Sequence, residues 1–119
     1  MVSWRTITII MTISFEDFKK LEIRVGRIES AENIEGSEKL LKLSVDFGEQ
    51  GKRQILAGLA KHYSPAELIG IEAFFAFNLE PRILMGLESQ GMILAVDGKD
   101  GKPILLKPAE DVTPGNMVK

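Results

Sequence analysis

The chain has 119 residues, of which 45% are hydrophobic, and its formal net charge is −2. This length suits one domain with a single core, and the near-neutral charge confines any nucleic-acid binding to a local patch of Lys and Arg. The sequence has no cysteine and one histidine, which excludes disulfides, thiolate metal sites and clusters of metal-binding histidines. No apolar run approaches the roughly 20 residues of a membrane span, so we expect no membrane association and no cofactor.

The N-terminal residues form a segment of their own. Thr and Ile alternate in residues 6–10, which favours a strand, and the segment lacks the basic start and cleavage site of a secretory signal. Met11 is also a plausible translation start, so the segment is either a non-native leader or an edge strand. We therefore place an N-terminal extension at residues 1–12, the domain at residues 13–119 and the protein in the cytoplasm.

A short helix and a long strand are predicted next. Ser14 is a preferred N-cap, and Asp17 takes the third helical position of a capping box. Alternating apolar residues from Leu21 to Val25 then predict a strand. Gly26 lies at a phase slip in this alternation, which predicts a bulge or a sharp bend. A strand bent near its middle can serve two sheets of a small barrel.

Further strands follow with turns and one more helix. The pattern of Leu41–Phe47 predicts a half-buried strand, and the turn at Gly48–Gly51 joins it to a return strand at Arg53–Ala57. Ser64 starts a second capping box, with Pro65 at the first helical position. The remaining strands are predicted at residues 71–79, 92–96 and 103–107. The prolines at 108 and 114 are expected to end regular structure.

This order of elements predicts an all-β fold. The strands, with one short helix between the third and the fourth and no βαβ rhythm, indicate a five-stranded Greek-key OB-fold barrel with short helices and a C-terminal extension. An SH3-like barrel is the alternative. OB barrels commonly bind oligonucleotides or oligosaccharides on one face.

Catalytic motifs are not found. Gly98–Lys102 lacks the spacing and the strand-to-helix context of a P-loop, and Glu80 and Glu88 have no His or Lys partner placed for proton transfer. We therefore expect a binding protein rather than an enzyme. Few aromatic residues are available for stacking single-stranded bases, which favours recognition of a folded RNA by its shape and backbone.

Five segments, in order, resemble the tRNA-binding OB-fold domain family, whose members include free tRNA-binding proteins and the C-terminal extension or β subunit of methionyl-tRNA synthetases. They are DFKKLEIRVG (17–26), EGSEKL (35–40), RQILAGL (53–59), NLEPR (78–82) and SQGMIL (89–94). The resemblance runs from about residue 14 to residue 119. It implies non-catalytic, shape-specific binding of tRNA as an accessory to an aminoacyl-tRNA synthetase, most closely methionyl. It also implies a homodimer, for which we expect an interface near Ile104–Leu106 and the C-terminus.

The resemblance also implies which residues face RNA. These are Lys39, Asn78, Arg82, Ser89, Gly91 and Met92, to which we add Lys42 and Gln90. Ser89 would offer a hydroxyl to a phosphate or a 2′-OH, Gly91 would allow close backbone approach, and Met92 would offer a polarizable contact. On the residues alone, a plain connection at 81–92 with Met92 in the core is favoured over a site, and it is the resemblance that favours the site.

This chain departs from the family at three of its basic positions. Many relatives carry patterns like NLKPRKLRG, whereas Glu80, Ile83 and Met85 stand at the matching positions here. We therefore expect roughly three or four phosphate contacts and a log–log salt slope of about −3 to −4. The apolar replacements leave open an export-chaperone-like protein of the same fold that binds extended peptides. A purely structural module of a synthetase complex is a third hypothesis.

Overall fold

Strands dominate the chain, and short helical turns connect them. The computed structural model describes residues 11–119, so the predicted leader or edge strand in residues 1–10 lies outside the described residues. The elements are α1 (Phe15–Lys20), β1 (Ile23–Asn33), β2 (Leu41–Asp46), a 3₁₀ turn (Gly48–Gln50), β3 (Lys52–Ala57), α2 (Pro65–Leu68), β4 (Glu72–Ala76), β5 (Arg82–Leu84), β6 (Leu87–Ser89), β7 (Met92–Ile93), β8 (Ala95–Asp97) and β9 (Pro103–Leu105).

Five strands form one curled antiparallel sheet in the order β3–β2–β1–β4–β7. The fourth strand returns to lie beside the first, which is the Greek-key order. Strand β1 pairs with β4 through Ile23–Arg27 and with β2 through Arg27–Asn33. One long strand thus serves both halves of the curled sheet, and the predicted all-β, OB-type architecture is confirmed.

The bulge of β1 does not lie at Gly26, so the bulge alternative predicted for this glycine was wrong. The register of β1 against β2 shifts between Ile28 and Ser30. A Cβ on Gly26 would lie 2.5 Å from Cγ1 of Val45 and 2.7 Å from the ring of Phe47. The glycine therefore makes room for side chains of the next strand and its turn, because the interior tolerates no extra carbon there.

The core fills the concave side of the sheet. The alternating apolar residues of β2 are fully buried, as its hydrophobic pattern predicts. At the end of this strand, the Phe47 ring packs edge-to-face against Phe75 at a centroid distance of 5.4 Å and against Phe77 at 4.9 Å. Edge-to-face packing is a favourable arrangement of aromatic rings, so these three residues fix the strand ends relative to one another.

Both predicted helices are present and short. The Asp17 N–H donates to Oγ of Ser14 at 3.0 Å, while the Asp17 carboxylate binds Nζ of Lys20 instead of the N-cap backbone. At α2 the carboxylate of Glu67 accepts the N–H of Ser64 at 3.2 Å, as in a capping box. Within residues 11–119 no helix has the length and apolar character needed to cross a membrane.

The predicted strand at residues 92–96 is divided between two sheets. Strand β7 pairs with β4, and β8 pairs with β9. Between them, the Leu94 N–H donates to the Phe74 carbonyl at 2.9 Å, and the Leu94 carbonyl accepts from the Leu106 N–H at 3.2 Å. The chain therefore leaves the main sheet at Leu94 to form a small separate hairpin.

The C-terminal tail lies along the start of β1, although its prolines predicted an end to regular structure. The N–H of Gly115 donates to the Val25 carbonyl at 2.7 Å, and that of Val118 donates to the Ile23 carbonyl at 2.8 Å. Gly115 has φ +95°, and a Cβ there would collide with the Phe47 carbonyl oxygen. The tail thus covers the edge of β1 that β2 leaves free.

Candidate nucleic-acid interface

The segment at residues 81–92 contains a β-hairpin that forms one wall of a cavity. Its two strands, β5 and β6, are joined by Met85 at φ +53° and Gly86 at φ +75°. Positive φ at both central residues is the geometry of a type I′ turn, which matches the twist of a hairpin. The cavity has a volume of about 800 Å³ and lies between this hairpin and the β1–β2 loop, over the end of β3.

Three of the predicted site residues meet at this cavity. Lys39 lines it from the β1–β2 loop, Arg82 from the hairpin and Met92 from the start of β7. Met92 is 47% exposed although it belongs to a strand of the main sheet. Since these residues come from three separate stretches of sequence, it is the curl of the sheet that places two cations and one polarizable side chain around a single cavity.

Ser89 has a different position from the one predicted. Its side chain is 4% exposed. Its hydroxyl accepts the Leu56 N–H at 3.0 Å and donates to the Gly91 carbonyl at 3.1 Å. Because both bonds are internal, the hydroxyl joins the hairpin to β3 and is not presented to a ligand at the surface.

Gln90 and Gly91 also fix the hairpin to the sheet. Gln90 exchanges two bonds with Gln54: its N–H donates to the Gln54 carbonyl at 2.8 Å, and its Oε1 accepts the Gln54 N–H at 3.0 Å. Gly91 has φ +151°, and a Cβ there would lie 3.0 Å from the Ala76 carbonyl oxygen. The close approach that this glycine allows is to the protein's own backbone, so both residues set the position of the cavity wall.

Asn78 and Lys42 do not line the cavity. The Asn78 side chain accepts the Glu22 N–H at 2.7 Å and donates to the Lys20 carbonyl at 2.6 Å, which ties the chain after β4 to the start of β1. Nζ of Lys42 lies 3.3 Å from the Glu32 carboxylate on the adjacent strand. The structure therefore places these two residues outside the group formed by Lys39, Arg82 and Met92.

Comparison with known proteins identifies the family. A family model described as "Putative tRNA binding domain" matches residues 23–117 of this chain. The chain belongs to the tRNA-binding domain family. The methionine–tRNA ligase of Porphyromonas gingivalis is 48% identical over 107 residues, which are 90% of this chain and 16% of that ligase. This tRNA-binding domain therefore spans only a small part of the length of that curated relative.

Solved structures share the fold of this tRNA-binding domain over nearly its whole length. A MetRS-related protein from Pyrococcus horikoshii matches with a TM-score of 0.83 and 38% identity, covering 91% of this chain and 98% of that one. The chaperone CsaA from Bacillus anthracis str. Ames matches with a TM-score of 0.81 and 30% identity, covering 91% and 99%. The resemblance drawn from the five sequence segments is thus confirmed.

The two cations at the cavity differ from Lys42 and Lys52 of the sheet, which each have an acidic partner. On the outer side, Lys52 binds Glu29 at 2.9 Å, and this partner raises the pKa of the Lys52 ammonium. Lys42 is paired in the same way. None of the ion pairs within residues 11–119 includes Lys39 or Arg82. These two side chains of the tRNA-binding domain therefore remain available for phosphates.

One residue that contributes to this wall received no role from the sequence. Arg53 belongs to a segment shared with the family, and the alternation of β3 places it on the inward face with Ile55 and Ala57. An inward-facing arginine needs internal partners. Its Nη1 donates to the Phe77 carbonyl at 2.7 Å and to the Gln90 carbonyl at 3.2 Å. The position of Arg53 in the alternation of β3, on the same face as Ile55 and Ala57, could have identified its internal role from the sequence.

Proposed function

We propose that this tRNA-binding domain binds folded tRNA at the cavity bordered by Lys39, Arg82 and Met92, without catalysing a reaction. The observation that carries the proposal is that Lys39 and Arg82, neither of which has an acidic partner within residues 11–119, line one cavity from its two walls. Phosphate contacts by such side chains release counterions and supply most of the sequence-independent affinity for nucleic acid. A preformed cradle with few cations suits recognition of backbone shape.

The remaining predicted site residues have supporting roles in this proposal. Ser89, Gln90 and Gly91 hold the hairpin wall against β3 through the bonds described above. Asn78 carries a second N–H on its side-chain amide, and Lys42 lies across from Leu56 in the register of β2 and β3. We retain Asn78 and Lys42 as outer contacts for parts of the RNA that extend beyond the cavity.

The proposed partner is an aminoacyl-tRNA synthetase, and methionyl is the best-supported specificity because curated relatives are methionine–tRNA ligases. A second contact with the same tRNA would raise the effective concentration of tRNA at the synthetase. The proposed tRNA-binding domain extends over residues 13–119, with residues 1–12 as an extension. A role beside a synthetase in translation supports a cytoplasmic location, which is part of this proposal.

We further propose a homodimer that uses the C-terminal region. Apolar side chains of α1 and of the tail border a groove of about 310 Å³, and they are Phe15, Phe18, Leu21, Met117 and Val118. Phe15 is 69% exposed. Contiguous exposed apolar surface of this kind marks interaction sites. Ile104 and Leu106 are also exposed, which supports the interface expected from the sequence.

A gel-shift experiment tests the central proposal. Folded tRNA and an unstructured RNA of equal length and charge are titrated with the protein. Tighter binding of folded tRNA is the expected result, because shape recognition requires a preformed backbone curve. Equal affinity for the two RNAs would remove the claim of shape recognition.

Peptide binding is the second candidate function. Ile83 and Met85 are 68% and 55% exposed on the hairpin, at positions where many relatives have basic residues, and a solved chaperone shares the fold. Titration of one sample with tRNA and with an unfolded apolar peptide separates the two functions. Tight peptide binding without a tRNA response would favour the chaperone.

A further inference from the structure

The cavity combines an apolar floor with a charged rim. Its apolar lining includes Leu40, Leu56, Leu84, Met92 and Ile93. The charged side chains at the lining are those of Glu38, Lys39 and Arg82, so the two cations exceed the single carboxylate by one positive charge. A surface that only followed the sugar–phosphate backbone of a helix would need the cations but not the apolar floor.

A nucleotide that has left its base stack has the complementary composition. It carries one phosphate charge and exposes the two apolar faces of its base. In a duplex these faces are covered by neighbouring bases, and RNA-binding proteins reach them where loops and bulges splay the bases out. The cavity volume of about 800 Å³ lies within the ~300–1,000 Å³ range of pockets that enclose small organic ligands.

The floor is held in place before any ligand arrives. Leu56 is 6% exposed, and its backbone N–H is bound by the buried Ser89 hydroxyl. Arg82 lies directly across from Ser89 in the hairpin register, so the same bond supports both the floor and one cation. A preformed pocket lowers the ordering cost of binding. Met92, which is flexible and polarizable, can adapt to bases of different shape.

We propose that this cavity takes one unpaired nucleotide, with its base against Leu56 and Met92 and its phosphate between Lys39 and Arg82. This inference rests on the proposed function and narrows its ligand to folded RNA that carries an extruded base. The floor is aliphatic, so base identity is read weakly. Aliphatic side chains take the place here of the aromatic side chains on which unpaired bases usually stack.

Three RNA hairpins of one sequence test the inference. The first is fully paired, the second carries one bulged uridine and the third carries an abasic bulge at the same place. Anisotropy titrations are run beside a titration with tRNA. We expect the uridine bulge to bind about tenfold tighter than the duplex, as burial of one base face suggests, and the abasic bulge to fall to the duplex level.

Two matched variants test whether the preference for the bulged hairpin depends on the apolar floor of the cavity. Met92→Gln keeps the length of the side chain but makes it polar, and we expect it to bring the ratio of bulge affinity to duplex affinity close to one. Met11→Gln, at an exposed methionine ahead of α1, is expected to retain the preference.

The outcomes separate the inference from the function on which it rests. If tRNA binds but the three hairpins bind equally, the inference is overturned and the proposed function stands. If tRNA does not bind, both fail. Displacement of the bulged hairpin by an unfolded apolar peptide, in the absence of tRNA binding, would assign the cavity to peptides.

Discussion

The guanidinium of Arg53 lies 3.6 Å from the centre of the Phe77 ring. From this position its Nη1 donates to the carbonyls of Phe77 and Gln90. Arg53 thus joins the residue after β4 to the hairpin that forms one wall of the cavity. Its guanidinium makes internal contacts, whereas Lys39 and Arg82 line the cavity itself.

Replacement of Arg53 by Met should destabilise the fold and weaken tRNA binding without changing its salt dependence. The loss of two hydrogen bonds and a cation–π contact costs about 1–3 kcal/mol, which urea denaturation measures. A salt titration of tRNA affinity should give the wild-type slope, because no phosphate contact is lost. If the magnitude of the slope instead fell by the amount expected for one phosphate contact, Arg53 would bind the RNA directly. Lys99→Met, in the exposed β8–β9 turn, is the control.

Replacement of Ser89 by Ala tests the buried hydroxyl. The Leu56 N–H would lose its acceptor, and an unsatisfied buried donor costs about 1–3 kcal/mol. Thermal or urea unfolding measures this loss. Ser44→Ala, on the outer face of β2, should change stability by no more than about 0.5 kcal/mol. A Ser89→Ala protein as stable as the Ser44→Ala control would show that the hydroxyl does not hold the wall.

Replacement of Gly26 by Ala tests the packing assigned to this glycine. The new Cβ would enter the space of Val45 and Phe47, and overpacking of this kind costs about 1–3 kcal/mol. Gly58→Ala is a matched control, because a Cβ built there meets no atom of the described residues within 4 Å apart from its chain neighbours. Equal unfolding midpoints for the two variants would contradict the packing role. The glycine would then be explained by a bend in β1.

The proposed dimer is tested by a charge in the apolar groove. Phe15→Lys places an ammonium among Phe18, Leu21 and the tail, in a groove that Lys19 also lines, and burial of an unpaired charge in an interface is strongly unfavourable. Light scattering at micromolar concentration should show a dimer for the wild type and a monomer for the variant. A monomeric wild type would contradict the proposed dimer.

The sequence predicted those elements whose signals are local. The alternation in β2 and the caps at Ser14 and Ser64 depend on neighbours in the chain, and each matches the structure in its position. The cavity wall was only partly predictable, since Met85 adopts a positive φ that its residue type does not signal. The role of Ser89 depends on Leu56, which is distant in sequence, so a hydroxyl that looked available for RNA is bound internally.

The C-terminal tail shows the same limit. Pro108 and Pro114 mark the loss of helix and strand propensity, and this local reading is correct. The tail nevertheless pairs with β1, because Gly115 fits against the Phe47 carbonyl. Only a long-range contact reveals that fit, so no local pattern could predict it.

The most direct test is a filter-binding salt titration with folded tRNA. The wild type is compared with the double variant Lys39→Ala/Arg82→Ala and with the control Lys99→Ala/Lys107→Ala. If these two side chains neutralise phosphates, the double variant should bind more weakly, and the magnitude of its log–log salt slope should fall by about 1.5 relative to both other proteins. An unchanged affinity and slope in the double variant would contradict tRNA binding at this cavity.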